Sequence, residues 1–83
     1  MPYNRKIVGI VISMLRVEKD MTQEQLSGLA GIARSHLAAL EGGEKIPRMD
    51  TIWKLAEALS IKPSKLIFMM EKAIEKGTEW GND

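Results

Sequence analysis

The 83-residue sequence contains no cysteine. Disulfides and thiolate metal sites are therefore excluded, and the composition fits a reducing compartment such as the cytoplasm. With one histidine, His36, and no thiols, a zinc site lacks ligands. Long apolar runs are also missing: spanning a bilayer takes about 18 or more consecutive apolar residues, and no such run occurs. The run from Ile7 to Leu15 follows Arg5 and Lys6, as the core of a secretory signal would. It is short, is interrupted by Gly9 and Ser13, and leads into Arg16, Glu18, Lys19 and Asp20 instead of a small-residue cleavage site, so no signal peptide is expected. Nor is there an excess of charge of one sign: 12 Lys and Arg against 11 Asp and Glu leave a formal net charge of +1, which favours no particular partner. There is no nucleophile–base pair, metal-ligating cluster or phosphate-binding glycine loop. Nothing points to an enzyme, a cofactor or a small-molecule ligand.

What is present is enough apolar material, 45% of residues, for one core in one small domain. No alternating strand pattern appears, so the expected fold is all-α with five helices. The chain is organised around Thr22 to Gly43. Thr22 and Gln25 form a capping box, T-x-x-Q, in which each side chain can bond the other's backbone N–H. Leu26, Leu29 and Ala30 follow at helical spacing, and Gly31 stands where a chain leaving a helix often needs positive φ. Ile32, Leu37 and Leu40 are expected to bury a second helix, roughly Ala33 to Glu41, stopped by Gly42-Gly43. Two short helices joined through a glycine are the pattern of a helix-turn-helix. Arg16, Arg34, Lys45 and Arg48 cluster around it, so the placement of cations is more favourable to nucleic acid than their number.

Around this pair, Asn4 is placed to cap a first helix that runs to about Lys19. Its residues Ile7, Val8, Ile10, Val11, Ile12, Met14 and Leu15 cover an arc of about 200°. One core needs only about 100°, and the polar remainder, Gly9, Ser13 and Arg16, is narrow, so a second partner for that helix is expected. A fourth helix, about Met49 to Ser60, carries Ile52, Leu55, Ala56 and Leu59, with Asp50 in its first turn. Pro63 suits the first turn of a fifth helix, residues 63–76, in which Leu66, Ile67, Met69, Met70, Ala73 and Ile74 share one broad face and Phe68 points away from it. Gly77 is expected to end it, so the domain occupies residues 1–77 and residues 78–83 form a flexible tail.

Arg16, Thr22-Gln23, Leu26, Ala30-Gly31, Leu37, Leu40-Glu41, Gly43, Pro47, Leu55-Ala56 and Leu59 occur in an order that resembles the lambda-repressor-like (Xre/Cro) DNA-binding domains. The resemblance runs from about Val8 to Leu66. It implies a cytoplasmic bacterial or phage transcription regulator that binds double-stranded DNA. By position in that family, Ala33, Arg34, Ser35, Ala38 and Ala39 face the bases. Arg34 is the strongest candidate, since a guanidinium can bond both O6 and N7 of guanine. Gln23, in a first turn whose free N–H groups attract phosphate, is implied to clamp the DNA backbone. Thr22, His36 and Lys45 are further backbone candidates, and Arg48 resembles an arginine that some phage repressors direct to the minor groove. Arg16 and Glu41 are implied to form a structural ion pair.

One such unit reads few base pairs, so a symmetric homodimer on a pseudo-palindromic operator is expected. With about 17 residues beyond Leu66, the dimer surface is expected within the bundle, on Ile67, Phe68 and Met69, with Ile10 and Met14 possible contributors. Alternatively, the apolar surpluses of the first and fifth helices pack on each other within one chain, and both arrangements can hold at once. The length and apolar ending are similar to those of restriction–modification controller proteins. A different reading is an antitoxin or other protein-interaction module on the same fold.

Overall fold

Asn4 turns the chain into its first helix, its side-chain oxygen accepting a hydrogen bond from the Ile7 N–H at 3.0 Å. The computed structural model describes residues 1–80, which form α1 (Arg5–Glu18), α2 (Gln23–Ala30), α3 (Arg34–Glu41), α4 (Met49–Ala58) and α5 (Pro63–Trp80). Among the described residues there is no strand, so the fold is all-α with five helices. Thr22 and Gln25 make both halves of the capping box, at 3.0 and 2.9 Å. Gly31, at φ +72°, turns α2 into α3 in the left-handed conformation that glycine adopts without strain.

The core is one cluster of leucine, isoleucine and valine side chains. Val8, Ile12 and Leu15 of α1 meet Leu26, Leu37, Leu40, Leu55, Leu59 and Leu66, all buried. α3 packs on α1 and α2, α2 on α4, and α5 lies along α1 and α4. The wide apolar arc of α1 is thereby divided. Val11 is buried and Ile7 half-buried against the core, whereas Ile10 and Met14 stay exposed.

Four features depart from the sequence expectation. α5 does not stop at Gly77 but continues to Trp80. Gly77 marks a close contact instead, since a Cβ there would fall 2.3 Å from Cδ1 of Ile7. Of the tail expected over residues 78–83, residues 78–80 are therefore helical, and residues 81–83 lie outside the described residues. α4 ends at Ala58, with Ser60 beyond it in the left-handed region at φ +59°. Leu29 does not join the core and is 66% exposed. The buried side of α2 is centred on Leu26, Ser27 and Ala30, and Leu29 sits about 100° away from it around the helix. Gly9, grouped by the sequence with the polar residues of α1, is buried where α1 meets the last turn of α3. A Cβ at Gly9 would lie 2.4 Å from the Leu40 carbonyl oxygen and 2.6 Å from that of Glu41.

Candidate nucleic-acid interface

α3 is amphipathic in a way that separates anchoring from exposure. Leu37 and Leu40 are buried, Ala33, Arg34, Ser35 and Ala38 are exposed, and His36 and Ala39 are half-buried. Ala33 caps α3 with no side-chain acceptor, so the first N–H groups of the helix remain open at the same end as Arg34 and Ser35. Arg34 lines an open groove of about 470 Å³ with Arg16, Thr22, Gln23 and Glu24. The front of α3 and the N-terminus of α2 thus form one surface. Thr22 accepts the Gln25 N–H there and still has its hydroxyl proton to donate.

Beneath that groove, Arg16 and Glu41 form a two-pronged ion pair, Nε to Oε2 at 2.7 Å and Nη2 to Oε1 at 3.0 Å. A third donor, Nη1, bonds the Met21 carbonyl at 2.8 Å. The side chains are 15% and 6% exposed. The hydrogen bonds that Arg16 donates to Glu41 raise its pKa above the ordinary value, against the opposing effect of burial. The pair ties the end of α1 and the α1–α2 connection to the end of α3. Gln23 also belongs to this cluster: its Nε2 donates to Glu41 Oε1 at 3.0 Å. Sequence reasoning missed that link, because no local spacing rule relates positions 18 residues apart.

Lys45 and Arg48 lie exposed on the loop between α3 and α4. Arg48 is met by Asp50 at 3.4 Å, but with side chains 84% and 56% exposed the pair is worth little and leaves the guanidinium available. The expected dimer residues do not form one patch. Met14 and Met69 share a crevice with Val11 and Ala73 on the α1–α5 seam, and Met69 is half-buried there. Ile67 borders a different apolar hollow, together with Tyr3, Met49 and Ile52. Phe68 projects outward with the Lys72 ammonium 5.5 Å from its ring centroid. Ile10 stays exposed on α1.

A family model described as helix-turn-helix matches residues 12–66. An HTH-type transcriptional regulator of Sinorhizobium fredii, y4dJ, is 36% identical over 63 residues, covering 76% of this chain and 82% of that protein. The cryptic phage CTXphi transcriptional repressor RstR of Vibrio cholerae is 31% identical over 62 residues, 75% of this chain but 56% of the repressor, so the chain spans little more than half of that relative. Among solved structures, the restriction–modification controller protein C.AhdI from Aeromonas hydrophila superposes with a TM-score of 0.71 at 36% identity, covering 74% of this chain and 92% of that one. The wild-type controller protein C.Esp1396I superposes with a TM-score of 0.80 at 24% identity, over 92% of this chain and 99% of that one, a likeness of fold.

Proposed function

The chain belongs to the helix-turn-helix family, and from that premise we propose that it is a cytoplasmic transcription regulator that seats α3 in the major groove of double-stranded DNA as a homodimer on a pseudo-palindromic operator. The supporting observation is the exposure of Arg34 and Ser35 at the open front of α3, beside the N-terminus of α2, while Leu37 and Leu40 hold its back. In this reading Arg34 takes O6 and N7 of a guanine, Ser35 adds a less selective hydrogen bond, and Ala33, Ala38 and Ala39 meet thymine methyls or leave room for the duplex. Thr22, Gln23, His36, Lys45 and Arg48 hold phosphates or the minor-groove edge, which sets register and affinity more than sequence choice.

Selection from a random duplex pool should return a half-site containing a guanine, repeated about one helical turn away. On that site Arg34→Ala should lose about 1–3 kcal/mol and relax the preference at that one position. Equal weakening on every sequence would make Arg34 a backbone contact, and a wild-type protein that binds no duplex would end the proposal.

The dimer draws on the exposed apolar side chains Ile67 and Phe68, supplemented by Met69, Ile10 and Met14. Sedimentation should give a mass that rises with concentration toward twice the monomer, and Phe68→Lys should shift it back. A monomer mass at every concentration would overturn the dimer.

A further inference from the structure

Gln23 reaches Glu41 through a hydrogen bond whose polarity is fixed. A carboxylate only accepts, so the nitrogen of the Gln23 amide must face Glu41 and its carbonyl oxygen must turn away. That nitrogen carries two protons. Glu41 takes one, and the other remains unspent on a side chain that lines the groove with Thr22 and Arg34. Glu41 is itself held by two prongs of Arg16, so the orientation of the Gln23 amide is set by a chain of charge-assisted bonds. Left alone, a glutamine amide can present either its oxygen or its nitrogen to a phosphate, and only the nitrogen can donate.

We propose that Glu41 is a positioning residue for DNA: it turns the Gln23 amide so that an N–H, not the carbonyl, is offered to a backbone phosphate. The proposal rests on the DNA-binding reading above. It assigns the carboxylate that closes α3 a part in affinity beyond its ion pair, although Glu41 carries the same sign of charge as the ligand.

That sign makes the test decisive. Glu41→Gln removes a negative charge near DNA, so simple electrostatics predicts tighter binding. It also replaces two acceptor oxygens with one, which Arg16 and Gln23 must share. Positioning therefore predicts weaker binding, by about tenfold for one hydrogen bond to a charged group. Binding of the full chain to a selected duplex is measured for the wild type, Glu41→Gln, Gln23→Ala and the double variant, at a temperature where melting curves show each folded. The expected result is a loss in Glu41→Gln that vanishes in the Gln23→Ala background, where no amide is left to orient. A loss of equal size in both backgrounds would mean that Glu41 acts only by holding α3, and tighter binding in Glu41→Gln would also overturn the proposal. If Glu41→Gln does not fold, the wild type decides. The Gln23 side-chain NH₂ should then be ordered in free protein, with an NMR order parameter above about 0.6, and a lower value refutes the proposal. Wild-type protein that binds no duplex removes the reading itself, an outcome distinct from both.

Discussion

Gly9→Ala is expected to melt about 10–20 °C below the wild type, equivalent to a loss of about 2–3 kcal/mol. The substitution is ordinarily favourable inside a helix, by about 1 kcal/mol of intrinsic propensity, with a further gain from a less flexible unfolded chain. Here the added methyl would stand 2.4 and 2.6 Å from the carbonyl oxygens of Leu40 and Glu41. These are backbone atoms in the last turn of α3 and cannot swing aside as a side chain would. α1 and α3 must part, which opens the core around Val8, Ile12, Leu37 and Leu40 and displaces the helix that carries Arg34. Gly28→Ala is the control, because a Cβ at Gly28 meets nothing within 4 Å on an exposed face of α2. It should raise stability by about 0.5–1 kcal/mol. If calorimetry finds Gly9→Ala as stable as the wild type, the close approach of α1 to α3 is not real.

Arg16→Ala is expected to cost about 3–5 kcal/mol, the range for breaking a largely buried ion pair by removing one partner. A domain of this size has about 4–12 kcal/mol in all, so the loss takes a large share. The carboxylate of Glu41 would keep only the Gln23 amide, and the Met21 carbonyl would lose its guanidinium donor. Glu41→Ala should be milder, because the abandoned guanidinium borders an open groove where water can solvate it. Chemical denaturation separates stability from binding. A variant at position 16 that keeps its full melting temperature yet loses DNA affinity would make Arg16 a direct DNA contact.

Helix starts and turns were legible in the sequence because their causes are local. The hydroxyl of Thr22 and the amide of Gln25 are three residues apart, as are Asn4 and Ile7, and Gly31 answers a backbone need at its own position. The core leucines were legible for a related reason: helical periodicity shows which side chains share a face. It does not show how near another backbone comes. Gly9 therefore reads as a polar gap, although the α3 backbone leaves no room there for a Cβ, and Gly77 reads as a helix stop, although α5 runs on past it with the tip of the Ile7 side chain close by. Leu29 was misassigned because a span of three is compatible with the core stripe and with its edge. The Arg16–Glu41 pair was reached through family resemblance, and its extension to Gln23 depends on how α2 and α3 are set against each other, which no spacing encodes.

The division of α3 into buried Leu37 and Leu40 and exposed Ala33, Arg34, Ser35 and Ala38 has an evolutionary consequence. The positions that would discriminate between operators contribute almost nothing to foldability, because none of them supports the interior. New target preferences can then arise by exchanging side chains on one bare flank while the scaffold stays intact, and duplicated copies of such a gene can diverge in what they regulate without first regaining stability.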